Sequence, residues 1–152
     1  MHRRLLLVDP DRNWLNALHD AVPPAVDVEV CVDFPTARTR LLADPPTLLV
    51  TKLRLGAYNG VHLVVLAASE KLPTRCLTYG ERGDPTDEAL GRMAQEAGAF
   101  YEPLHRLPFA LPAYLRSDLP ARDRRDPARE DRRVSFRGGR RITDSSKATA
   151  RV

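Results

Sequence analysis

LLVTKLRLGAYNG, residues 48–60, decides how this chain is read. Leu48, Leu49, Val50 and Thr51 form an unbroken apolar or β-branched run, Lys52 follows, and the loop closes on Asn59-Gly60. A continuous apolar run bounded by turn residues is the pattern of a strand covered on both faces. A strand of that kind delivers whatever ends it to the rim of a sheet, and here that residue is a lysine.

Working outward, the same grammar recurs. LLLV (5–8) is a second buried strand and ends in Asp9-Pro10-Asp11. VDVEVCV (26–32) alternates apolar and polar residues, as a half-exposed edge strand does. RCLTYG (75–80) and the short AFYEPL (99–104) complete a set of five. Between them lie helical stripes. Asp11 caps one carrying Trp14, Leu15, Ala17, Leu18, Ala21 and Val22, stopped by Pro23-Pro24; Asp33 caps one with Phe34, Ala37, Leu41 and Leu42 inward, stopped by Pro45-Pro46. Asn59 starts VHLVVLAA (61–68). Residues 83–98 form a helix with an acidic first turn, an inward stripe of Ala89, Leu90, Met93, Ala94 and Ala97, and Gly98 at its end. Because Pro108 and Pro112 do not both fit inside a helix, the last one is expected to begin near Leu111 with Pro112 in its first turn.

Five alternations of strand and helix predict a parallel sheet with helices on both faces. In such sheets the functional crevice lies beyond the carboxyl ends of the strands. Attention therefore falls on Asp9, Pro10 and Asp11, on Thr51 and Lys52, on Thr78 and Tyr79, and on Glu102 and Pro103.

Composition sets limits on function. The chain has 152 residues with 24 Lys/Arg and 20 Asp/Glu, and 11 of those bases but only 6 of those acids fall in 117–152. A near-neutral front is followed by a basic tail. The two cysteines, Cys31 and Cys76, sit in apolar strand-like runs and read as small buried thiols, and the four histidines show no ligand spacing. No Ser-His-Asp, Cys-His or phosphate-loop arrangement is present, so no enzymatic activity and no cofactor or metal are expected. No stretch approaches the ~18 apolar residues of a membrane span, and the apolar run after the N-terminal arginines is too short for a signal peptide. The reading is a soluble, cytoplasmic protein with no membrane partner.

LLLVDPD (5–11), LLVTKLRLGAYNG (48–60), CLTYGERGD (76–84) and EAGAF (96–100) together resemble the receiver domain of two-component response regulators over roughly residues 1–116. The resemblance implies a doubly wound, flavodoxin-like α/β domain with five parallel strands in the order 2-1-3-4-5. Receivers carry an acidic pair after the first strand, a phospho-accepting Asp after the third, a Ser or Thr after the fourth and a Lys-Pro after the fifth. The carboxylates hold Mg²⁺, and the Thr and Lys engage the phosphate. Here Asp9 matches the first acidic position, Pro10 falls at the second with Asp11 following, Lys52 falls at the acceptor, and Thr78 matches the hydroxyl. The lysine position is taken by Glu102 if the fifth strand is short, or by His105 in an ungapped alignment. The implied protein is a pseudo-receiver: a phosphorylation-independent interaction module of a phosphorelay-type pathway, with a signalling protein as partner.

A lysine at the acceptor repels a divalent cation and, protonated, is no nucleophile for phosphate. Lys52 is read as a fixed counter-ion to Asp9, and to Glu102 in the short-strand alignment; the alternative is a solvated rim lysine. Tyr79 stands where receivers have a small residue. Core or rim packing is expected of both Thr78 and Tyr79, with filling of the empty crevice as a further role for Tyr79.

Residues 117–152 contain few large apolar side chains and are expected to be disordered. SFRGGRR (135–141) places Phe136 beside Arg137, Arg140 and Arg141, a composition found in nucleic-acid-binding tails. The alternative function is thus binding of nucleic acid or another polyanion through this tail, with the folded domain as platform.

Overall fold

The computed structural model describes residues 3–116. The expected tail, with Phe136, Arg137, Arg140 and Arg141, lies outside the described residues.

Within 3–116 the chain runs β1 (Arg4–Val8), α1 (Arg12–Asp20), β2 (Asp27–Cys31), α2 (Phe34–Ala43), β3 (Leu48–Lys52), β4 (Arg54–Leu55), β5 (Tyr58–Asn59), α3 (Val61–Ser69), β6 (Arg75–Gly80), α4 (Pro85–Glu96), β7 (Phe100–Pro103), a 3₁₀ turn (Leu104–Arg106) and α5 (Leu107–Arg116). The five main strands are parallel in the order β2-β1-β3-β6-β7. Leaving out the antiparallel β4–β5 hairpin, this is the expected 2-1-3-4-5 order. β2 is an edge, as its alternating pattern predicts.

Period-two alternation splits the core. Leu5, Leu7, Leu48, Val50, Leu77, Tyr79 and Phe100 pack under Leu15 and Leu18 of α1 and Leu107, Leu111 and Leu115 of α5. Leu6, Val8, Leu49 and Cys76 face the opposite way, against α2, α3 and α4. Two helices start where the sequence says, after Asp11 and Asp33, and α4 starts at Pro85, two residues later than the expected 83. The side chains of Asp11, Asp33 and Asp84 accept from backbone N–H groups of α1, α2 and α4. At α3 the cap residue is Gly60, while Asn59 Oδ1 accepts from His62 N at 3.3 Å. Glycine is required there for space: a Cβ at Gly60 would stand 2.5 Å from the Lys52 carbonyl oxygen.

Several expectations are corrected. Ala17 of α1 and Leu42 of α2, expected inward, are exposed, and those helices bury Leu15 and Leu18, and Ala37 and Leu41. α5 begins at Leu107, not near Leu111, with Pro108 in its first turn and Pro112 inside. Pro108 removes an N–H that has no helical partner in a first turn. The break at Pro112 is outweighed by Leu107, Leu111 and Leu115, which are buried on one face. In α4, Met93 is 52% exposed; Ala94 is buried as expected, and with it Asp87 and Gly91, which the stripe did not include. The helix turns an acid inward because that acid has partners, described below.

Candidate functional site

The carboxyl ends of β1, β3, β6 and β7 bring four side chains to one rim. Lys52 is the register partner of Tyr79, and Tyr79 of Glu102. Alternation from Leu7, Val50, Leu77 and Phe100 puts Asp9, Lys52, Tyr79 and Glu102 on the face covered by α1 and α5.

Asp9 is at the centre and only 1% exposed. Its Oδ1 accepts from the Asp11 backbone N–H at 2.8 Å, and its Oδ2 accepts from the Tyr79 hydroxyl at 2.5 Å. The Tyr79 ring is fully buried. Burial, then the charge of Asp9 and the hydrogen bond to it, hold the phenol neutral well above its ordinary range. The indole N–H of Trp14 opposes this in part by favouring the ionised form, and its buried Nε1 has no hydrogen-bond partner among the described residues. A neutral donor whose ring belongs to the core therefore occupies Asp9 Oδ2.

The other expected site residues divide around this pair. Asp11 is exposed and spends its carboxylate on the N–H groups of Asn13 and Trp14, so only its backbone joins the site. Thr78 is not part of it. It is fully buried and its hydroxyl donates to the Phe100 carbonyl at 3.2 Å, so the hydroxyl at Asp9 is that of its neighbour. Lys52 is half-buried and forms no ion pair among the described residues, which replaces the expected pairing with Asp9 or Glu102. The phenol satisfies a buried carboxylate without desolvating an ammonium, which costs several kcal/mol per ion. Glu102 accepts from the Tyr114 hydroxyl at 2.9 Å, and His105 is exposed in the 3₁₀ turn.

Magnesium does not fit these residues. Asp9 offers a single carboxylate, each oxygen of which already accepts one hydrogen bond, and the end of β3 supplies an ammonium instead of a further oxygen ligand, too poor a set for an ion that wants near-octahedral oxygen coordination. Among the described residues no three His, Cys, Asp or Glu side chains are grouped to hold a metal ion.

Sequence reasoning passed over a second ionic group beside the rim. Arg54 Nε lies 2.8 Å from Asp87 Oδ1, and Arg54 Nη2 lies 2.7 Å from Asp84 Oδ2. Asp87 is 1% exposed, and its Oδ2 accepts from the Glu81 backbone N–H at 2.6 Å. The only available signal was the acidic first turn of α4, which also fits a solvated cap.

No family model matches the chain, and no curated protein matches it. Solved structures do. A putative response regulator from Chloroflexus aurantiacus is 20% identical, with 77% of this chain and 100% of that one covered, at a TM-score of 0.63. The response regulator domain of Thermotoga maritima CheB is 19% identical over 76% and 95% of the two chains, at 0.62. The BeF3-activated DrrB receiver domain is 20% identical over 75% and 94%, at 0.60. The fold is that of response-regulator receiver domains. Among the described residues no helix is long and apolar enough to cross a membrane.

Proposed function

We propose that this protein is a receiver-like signalling module that works by protein–protein interaction and takes up no phosphate. One observation carries the reading: the buried carboxylate after β1 is already bonded on both oxygens, one of them to a fully buried tyrosine, where a receiver needs it open to a metal. Lys52 at the end of β3 adds a positive charge at the acceptor position. The module has no chemistry of its own, and its partner is a signalling protein that recognises one fixed conformation.

The test is incubation with acetyl phosphate and Mg²⁺ followed by intact mass, beside a phosphorylatable receiver as control. The expected result is an unmodified chain. A stoichiometric, base-labile phosphoryl adduct on Asp9 or Asp11 overturns the reading. The RGG segment of the tail supports a second reading, polyanion binding. Deletion of residues 117–152 separates the two: partner binding survives in the first and is lost in the second.

A further inference from the structure

The loop from β6 to α4, residues 81–84, is held by charge rather than by packing. Asp84 Oδ1 accepts from the N–H groups of Thr86 and Asp87, fixing the start of α4. Asp87 Oδ2 accepts from Glu81 N, fixing the start of the loop. Both acids pair with one guanidinium, that of Arg54: its Nη2 hydrogen-bonds Asp84 Oδ2, and its Nε lies 2.8 Å from Asp87 Oδ1 as an ion pair outside hydrogen-bond geometry. Arg54, its side chain 48% exposed, stands in the loop after β3 and pairs through β4 with Asn59 of β5. The seat is cut to size. A Cβ at Gly80 would come 2.9 Å from Asp87 Oδ2, so the carboxylate approaches the backbone only because residue 80 is glycine.

A buried carboxylate left without a cation is strongly destabilised. Arg54 is the only cation in ion-pair contact with Asp87 among the described residues. The guanidinium fork spans two carboxylates at once, which a lysine ammonium, a single compact charge, does not do in the same way. A permanent charge on one loop therefore fixes the position of the next, and any two-state loop equilibrium is biased to one side without a ligand.

We propose that Arg54 is a built-in latch: bridging Asp84 and Asp87, it ties the β6–α4 loop to the end of β3, so that this loop and the start of α4 keep one fixed position. This rests on the phosphorylation-independent reading, since it gives that module a constitutive conformation.

The experiment is amide hydrogen exchange on the full chain as wild type, Arg54→Gln and Arg54→Lys, with acetyl phosphate and Mg²⁺ added to a parallel wild-type sample. Arg54→Gln is expected to speed exchange of Glu81 and the α4 N-terminus roughly tenfold while β1 and β3 keep their protection, as a local opening does. Arg54→Lys should recover part of that loss, and added salt should weaken loop protection in wild type but not in Arg54→Gln. Wild-type protection in Arg54→Gln overturns the latch. So does a uniform speeding across β1, β3 and the loop, which signifies a role in global stability alone, and so does full protection in Arg54→Lys. A phosphoryl adduct in the parallel sample overturns the phosphorylation-independent reading and leaves the exchange result to judge the latch.

Discussion

Replacing Tyr79 by phenylalanine removes one oxygen and keeps the ring, so no cavity opens in the core. Asp9, 1% exposed, loses the donor on Oδ2 and retains only the Asp11 N–H. A hydrogen bond to a charged group is worth about 1.5–3 kcal/mol, and a buried acceptor left bare loses at least that much. For a domain of this size the loss corresponds to a fall in Tm of roughly 5–15 °C. Urea denaturation is the assay, with an unchanged m-value showing that the denatured state has not been altered. Pairing with Asp9→Asn in a double-mutant cycle isolates the contact from the effects of each substitution. The proton linkage gives a second readout. Folding holds the Tyr79 phenol protonated above its unfolded value of 10.0, so its contribution is complete below about pH 10 and is lost as pH rises toward the higher folded value. The wild type should therefore lose stability above pH 10 more steeply than Tyr79→Phe, by up to ~1.4 kcal/mol per pH unit. If Tyr79→Phe lies within about 0.5 kcal/mol of wild type with the same alkaline slope, the phenol does not satisfy Asp9 and the closed crevice is refuted.

Gly60→Ala should cost about 1–3 kcal/mol in denaturant titrations, because its Cβ meets the Lys52 backbone oxygen and not a movable side chain. Burial raises the Cys76 thiol to about 12, and burial and then the Asp33 charge raise Cys31 to about 11. Neither cysteine should react with a thiol-exchange reagent in the native protein at neutral pH, and both should react in denaturant.

The framework was legible in the sequence because each level repeated the same message. Apolar runs ended at Asp9, Lys52 and Gly80, and aspartates at 11 and 33 announced the helices they cap, while the cap at Asp84 was hidden inside the acidic first turn. The site was less legible, for identifiable reasons. Strand alternation places Tyr79 with Leu77 on the α1/α5 face and Thr78 on the other, where the core packing expected of Thr78 is found; its match to the receiver hydroxyl position came from the resemblance and not from that period. The pairing of Lys52 with Asp9 was inferred from charge alone, whereas a neutral donor in the core meets the buried acid at lower desolvation cost. Asp87 was hidden because an apolar stripe is blind to a buried acid whose partner, Arg54, lies in a different loop. Pro108 and Pro112 together argue against one helix from Leu107, but Pro108 falls in a first turn and the apolar face of α5 outweighs the hydrogen bond missing at Pro112.

The most direct test of the sealed crevice is thermal unfolding of the wild-type chain with and without millimolar Mg²⁺ plus beryllofluoride, the activating group of the similar DrrB receiver structure. A ligand bound at a hundred times its Kd adds about 2.7 kcal/mol of stability, a rise of several degrees in Tm. With Asp9 bonded to Tyr79 and Asp11 and an ammonium at the end of β3, no shift is predicted. A saturable rise in Tm that requires both Mg²⁺ and beryllofluoride and disappears in Asp9→Asn would contradict the account.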